Sequence, residues 1–93
     1  MATYRKKPVA IEAEQLTREN AQRLADWSGS RWCSLYARGD RGEDISHLVI
    51  RTLEGDHRAD LGDWIVRGVE GEFYPVKPSI FAATYELVED PVF

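Results

Sequence analysis

The chain contains a single cysteine, Cys33, so no internal disulfide can form and the fold must rest on its apolar core. That cysteine usage points to a cytosolic setting. Long apolar runs are missing as well: nothing approaches the roughly 20 residues that a membrane-spanning helix needs. The basic start, Met1 to Pro8, is followed by no apolar stretch, and Glu12 and Glu14 come too early for a signal peptide. Proline (4) and glycine (7) are too few for a collagen-like or low-complexity chain, and the 11% aromatic content argues against disorder. Positive charge is in deficit, 12 Lys and Arg against 16 Asp and Glu, for a net charge of -4. A general nucleic-acid binder would carry the opposite balance. What remains is a 93-residue chain, 43% hydrophobic, that reads as one domain over residues 1–93. A deep enclosed cavity would consume much of so small a core, so a ligand site is expected to be shallow or shared between subunits.

Periodicity lays out the elements. From Tyr4 to Gln15, Val9, Ile11 and Ala13 alternate with Ala10, Glu12 and Glu14, the period of a half-buried strand. Thr17 reads as a helix N-cap, and Ala21, Leu24, Ala25 and Trp27 or Ser28 form one apolar face of a helix from Arg18 to Trp27. Arg18, Gln22, Arg23 and Asp26 are then its wet face, and Gly29 is its stop. Arg31 to Arg38 alternates as a strand, and His47 to Leu53 is β-branched and apolar, as a central strand requires. Turns at Glu54-Gly55-Asp56, Gly62-Asp63 and Gly68 to Gly71 then separate strands His57–Leu61, Trp64–Arg67 and Glu72–Val76 into an antiparallel meander. Pro78 starts a short helix to Ala83, and Thr84 to Glu89 alternates as a last strand before a loose tail, Asp90 to Phe93. The expected fold is α+β: a curved, mostly antiparallel sheet of about six strands, one main helix and a short C-terminal helix.

Catalytic chemistry finds little support in this pattern. Asp44, Ser46 and His47 are sequence neighbours, but a strand sends Ser46 and His47 to opposite faces, so they read as a solvated strand end. Cys33 has no histidine near it in sequence and reads as a small buried residue. Asp56, His57, Asp60 and Asp63 match no calcium loop and read as turn-forming residues, so no metal site and no cofactor are expected. Glycines are isolated, which leaves no phosphate-cradling loop.

Cations and rings form the more informative set. Arg5, Lys6 and Lys7 are consecutive, and Arg51, Arg67 and Lys77 lie in or beside strands. Tyr4, Trp64, Phe73, Tyr74 and Tyr85 supply rings. Arg and Lys hold phosphate through charge-assisted hydrogen bonds, and rings stack on bases. Alternation permits Arg67 and Tyr74 to share one face of a hairpin, with Trp64 and Phe73 on the other, the register being open. Against this stand plainer roles: Trp64 and Phe73 as core, and Arg5-Lys6-Lys7 as a solvated face paired with Glu12, Glu14 or the acidic tail. The candidate ligand residues are Arg67, Tyr74, Lys77, Arg5, Lys6, Lys7, Trp64 and Arg51, with Arg67 and Lys77 favoured because turns fix them.

Three strings carry a family likeness: Tyr4-Arg5-Lys6-Lys7-Pro8-Val9 with Ile11-Glu12-Ala13; Leu48 to Asp56; and Gly62 to Val69 with Gly71 to Pro75, Lys77-Pro78, Ile80-Phe81 and Thr84-Tyr85-Glu86. Together they resemble a widespread family of small bacteriophage and prophage proteins of unassigned function. The resemblance implies expression in the host bacterial cytoplasm and supplies no catalytic residues. By analogy of setting, small phage accessory proteins often counter host defences, some by sequestering nucleotide immune signals. The expectation is a non-enzymatic, homo-oligomeric binding protein, an anti-defence sponge for a small anionic ligand such as a cyclic nucleotide or ADP-ribose derivative. The alternative is a protein–protein interaction module that inhibits a host enzyme or serves phage replication or assembly, with Trp32 and Tyr36 as exposed anchors.

Overall fold

A computed structural model describes residues 1–5, 7, 9–34 and 44–88. Its elements are β1 (Glu12–Gln15), α1 (Ala21–Ser28), β2 (Arg31–Cys33), β3 (His47–Thr52), β4 (Gly55–Asp60), β5 (Trp64–Arg67), β6 (Phe73–Val76) and α2 (Pro78–Thr84). The fold is α+β, as the periodicity requires, but the six strands divide into two three-stranded antiparallel sheets, β1-β5-β6 and β2-β3-β4. The expected single curved sheet is corrected at one turn. After β4 the chain does not fold back on β4; it crosses at Leu61-Gly62-Asp63 and pairs β5 with β1. Gly62 takes φ 95°, a left-handed conformation that side chains resist. Asp63 turns its carboxylate back onto the Asp60 N–H at 2.9 Å. The same turn is stapled to the end of β1, with Leu16 N–H on Asp63 O and Gly62 N–H on Leu16 O.

The core lies between the sheets and α1. Leu16, Ala21, Leu24, Ala25, Leu48, Ile50, Ala59 and Ile65 form one buried cluster, with Trp27, Trp32, Leu61 and Phe73 packed around it. α1 puts Ala21, Leu24 and Ala25 into that cluster, the face its spacing of three and four predicts. The helix begins later than expected. Thr17 and Asn20 bond each other, Asn20 Oδ1 accepting the Thr17 N–H at 2.8 Å and Thr17 Oγ1 accepting the Asn20 N–H at 3.3 Å. That closed turn occupies 17–20, so Thr17 caps a turn and Asn20 precedes the helix. Gly29, at φ 66°, ends it in the left-handed conformation, its N–H on Ala25 O.

Arg18, released from the helix, is not on a wet face. Its guanidinium reaches Asp44 at 2.8 Å, Ser46 Oγ at 2.8 Å and Ser34 Oγ at 3.3 Å, and lies 6.0 Å from the centre of the Trp32 ring. Arg18, followed by Ser46, holds the Asp44 carboxyl well below the usual carboxylate range. Trp32 is half-buried beneath that arginine and packed on the core, which corrects its reading as an exposed anchor. Tyr36 lies outside the described residues.

Both terminal strands differ from expectation. Of the described residues in Tyr4–Gln15, only Glu12–Gln15 find a ladder, on β5. Thr84 closes α2, and 85–88 enter no ladder. No helix among the described residues is long and apolar enough to cross a membrane.

Candidate anion-binding face

Strand register assigns every side chain to a face. In the first sheet Trp64 stands opposite Val76, Ile65 opposite Pro75, Val66 opposite Tyr74 and Arg67 opposite Phe73. Directly opposed residues point the same way. Arg67 therefore shares a face with Phe73, and Tyr74 shares the other with Trp64 and Val66, which corrects the expected Arg67–Tyr74 pairing. An offset of one position in the hairpin reverses the faces.

The remaining candidates are also dispersed. Arg67 pairs with Glu12 at 3.5 Å. Lys77 donates to Asp63 at 2.9 Å and to Asp60 at 3.3 Å, and the Asp63 bond leads the causes that raise its pKa. Lys77 is thus a clasp on the inter-sheet turn. Trp64 lies flat on Phe81, centroids 4.0 Å apart, and Phe81 stacks on Tyr85 at 4.9 Å. Arg5 and Lys7 are exposed beyond β1 with no ion-pair partner among the described residues, and Lys6 lies outside those residues. Phe73 meets Trp27 edge-on at 4.9 Å, in the packing role weighed for it.

The aromatic column fixes α2, which buries no residue fully. Tyr74 and Tyr85 hydroxyls meet at 3.3 Å. Burial, then the Tyr85 contact, pushes the Tyr74 phenol up to about 12. A raised value means the fold favours the neutral phenol, so this contribution is whole below the unfolded value near 10 and is lost as pH climbs towards 12. A near-ultraviolet phenolate titration is expected to show a late step near 12, and Tyr85→Phe to move that step down. An unchanged late step in Tyr85→Phe would remove the hydroxyl pair as a cause.

An open cleft of about 300 Å³ lies between β1 and α1, lined by Glu12, Ala13, Glu14, Arg23 and Trp27. Its charges are already matched, Arg23 on Glu14 and Arg67 on Glu12.

The second sheet is different. Arg31 stands opposite Val49 on β3, and Val49 opposite Arg58 on β4. Arg51 lies two residues along β3 from Val49, on the same face. Three arginine positions thus surround one half-buried valine, Arg51 being a diagonal neighbour of both others with a position-to-position spacing of roughly 7–8 Å. Arg31 and Arg58 stand two strand spacings apart, roughly 10 Å. The opposite face of the same sheet puts Leu48, Ile50 and Ala59 into the core, whereas Arg31, Arg51 and Arg58 are exposed. Arg58 is tethered by Asp60 Oδ1 at 2.6 Å and Ile45 O at 3.3 Å. Arg31 and Arg51 have no ion pair among the described residues, although Asp56 stands opposite Arg51.

His47 lies on this face as well, opposite both Cys33 and Asp60. The sequence distance between Cys33 and His47 hid that neighbourhood. No side-chain hydrogen bond joins them: the His47 Nδ1 meets Ile45 O at 3.0 Å, and Asp60 is taken by Arg58 and Lys77. Asp44, Ser46 and His47 do not converge either. Ser46 is buried, its hydroxyl on Arg18 and its N–H on Asp44, rather than solvated.

Of the candidates named from sequence, Arg51 alone lies on this face; Arg31 and Arg58 are not among those candidates. A two-residue turn at Leu53-Glu54 would have exposed the β3–β4 half of the arrangement, since it sets Arg51 against Asp56 and Val49 against Arg58. Nothing local sets Arg31 against Val49. No family model, no curated protein and no solved structure matches the chain.

Proposed function

We propose that this chain is a non-enzymatic binding protein for a small phosphate-bearing molecule, held on the outer face of β2-β3-β4 by Arg31, Arg51 and Arg58. One observation carries the reading: three exposed arginines gathered on one sheet face of an acidic protein, two of them without an ion pair among the described residues. Like charges at neighbouring positions of a sheet repel. A phosphate relieves that repulsion and accepts from several planar guanidinium forks together. The long stems let the forks converge from their separate strands. Capture needs donors only; no group on this face has to transfer a proton. In the bacteriophage setting that the sequence resemblance implies, the ligand class is a nucleotide immune signal, a cyclic nucleotide or an ADP-ribose derivative, removed from its receptor by sequestration.

Calorimetry against such a panel, with pyrophosphate as the minimal probe, tests this. A dissociation constant below about 10 μM is expected for one member, about 7 kcal/mol of affinity. Arg51→Ala and Arg31→Ala should each weaken it at least tenfold, while Arg67→Ala, on the other sheet, leaves it unchanged. The ligand should be recovered intact by chromatography after incubation. Absence of binding, or binding indifferent to Arg31 and Arg51, would overturn the proposal.

Exposure of Tyr4, Val9, Leu87 and Val88 favours a second reading, a protein-contact module acting on a host enzyme or within phage replication or assembly. A pull-down that enriches one host protein, and loses it when residues 1–9 are removed, would select it.

A further inference from the structure

In two segments with strand-like alternation the described residues join no ladder. One runs from Tyr4 to Ile11, ahead of β1; Tyr4 is 91% exposed and Val9 52%. The other runs from Tyr85 to Val88, behind α2; Leu87 is 91% exposed and Val88 69%. No backbone hydrogen bond joins residues 1–5, 7 or 9–11 to another described residue, and on the C-terminal side the last one is Tyr85 N–H to Phe81 O. Exposed apolar side chains on chain without ladder partners are what a strand presents before its partner arrives.

Both segments point to the same end of the first sheet. β1 starts there, with Glu12 opposite Arg67, and β6 starts there at Phe73. α2 begins at the other end, after Val76. It passes Phe81 over Trp64, then brings Tyr85 to Tyr74, which stands opposite Val66. The chain that follows therefore heads towards the end where the N-terminal segment departs. Their charges are opposite: Arg5, Lys6 and Lys7 ahead of β1, and Glu86 behind α2, with Glu89 and Asp90 next in the sequence.

We infer that this end of the sheet is an interface between two copies of the chain, in which the N-terminal segment of each copy pairs as a strand with the Tyr85–Val88 segment of the other. A two-fold axis forms the contact twice from one pair of surfaces, so one chain supplies both halves. Strand addition satisfies the open backbone groups, and the basic-to-acidic match fixes which segment meets which. The contact is separate from the arginine face and stands whether or not that face binds an anion.

Light scattering and sedimentation of the intact chain are expected to give about twice its 10.6 kDa mass. Removal of residues 1–9 should yield a monomer with unchanged circular dichroism. Lys7→Glu alone and Glu86→Lys alone should each weaken self-association at least tenfold, and an equimolar mixture of the two should restore it, because the mixed dimer has one native and one reversed charge pair. Restoration on mixing requires pairing between chains. A monomer at every concentration, a dimer insensitive to the truncation, or no rescue on mixing would each overturn the inference.

Discussion

Leu24→Ala is expected to remove about 3 kcal/mol of stability, within the range found for large-to-small changes at fully buried sites. Leu24 has no exposed surface and is the one large residue that α1 buries fully, beside Ala21 and Ala25. It meets the cluster formed by Leu16, Leu48, Ile50, Ala59 and Ile65, drawn from both sheets. Truncation therefore opens a cavity at the point where helix and sheets converge, and the alanines beside it have no side-chain length with which to fill it. Alanine is a better helix former than leucine, so helix propensity offsets a little of the loss and the net destabilisation comes from packing. In a domain this small, 3 kcal/mol lowers the melting temperature by about 12–24 °C. Thermal denaturation followed by circular dichroism reads this directly, with Gln22→Ala on the exposed side of the same helix as a control expected to change stability by less than about 0.5 kcal/mol. A Leu24→Ala loss under about 1 kcal/mol would mean that α1 is not clamped as described.

The stability of the fold and the chemistry of its surface are carried by different residues. Two of the six cations singled out in sequence have structural partners: Arg67 on Glu12, and Lys77 on Asp60 and Asp63. The rings are largely spent as well, Trp64 under Phe81 and Phe73 against Trp27. The surplus of positive charge lies on the second sheet and on the segment ahead of β1. Arg31 and Arg51 on that sheet, and Arg5 and Lys7 ahead of β1, have no ion pair among the described residues.

How much of this was legible follows from the range over which each signal acts. β5 is marked on both sides, by Gly62-Asp63 and by Gly68, and its bounds agree with the alternation. The buried face of α1 follows from spacing because a helix repeats locally. The start of α1 does not: Thr17 is a good cap by type, but Asn20 closes with it into a separate turn, and only the pairing of those two side chains decides between the alternatives. The terminal strands show the general difficulty. Alternation in Tyr4–Gln15 and Thr84–Glu89 states a propensity to pair, yet a ladder needs a partner, and local sequence does not say where one lies. The division into two sheets was hidden for a similar reason, since Gly62-Asp63 resembles any hairpin turn until the Asp63 carboxylate is seen to bend back. The arginine face depends on register twice over. Moving the β3–β4 turn by one residue would send Arg58 to the other face, and the Arg31–Val49 pairing is set by the whole fold.

The turn between the sheets gives the second large expected effect. Asp63→Ala should cost about 2 kcal/mol, the penalty for leaving a partly buried donor without its acceptor. The side chain is 5% exposed, and one oxygen, Oδ2, takes both the Asp60 N–H and the Lys77 ammonium, each at 2.9 Å. These two contacts are not equal. The Lys77 side chain is 56% exposed, keeps Asp60 at 3.3 Å and is re-solvated at little cost, so its ion pair is worth at most about 1 kcal/mol. The Asp60 amide lies inside a turn whose Gly62 φ of 95° leaves it little freedom to re-aim. Asp63→Asn retains a carbonyl oxygen for that amide while discarding the charge, and should lose about half as much as Asp63→Ala. Lys77→Met should lose least. Chemical denaturation of the three variants ranks them, and the order alanine, asparagine, then Lys77→Met assigns the stabilisation to the turn hydrogen bond. If Lys77→Met instead equals Asp63→Ala, the ion pair is the main contributor, and the two sheets are held together by charge rather than by the geometry of the chain that joins them.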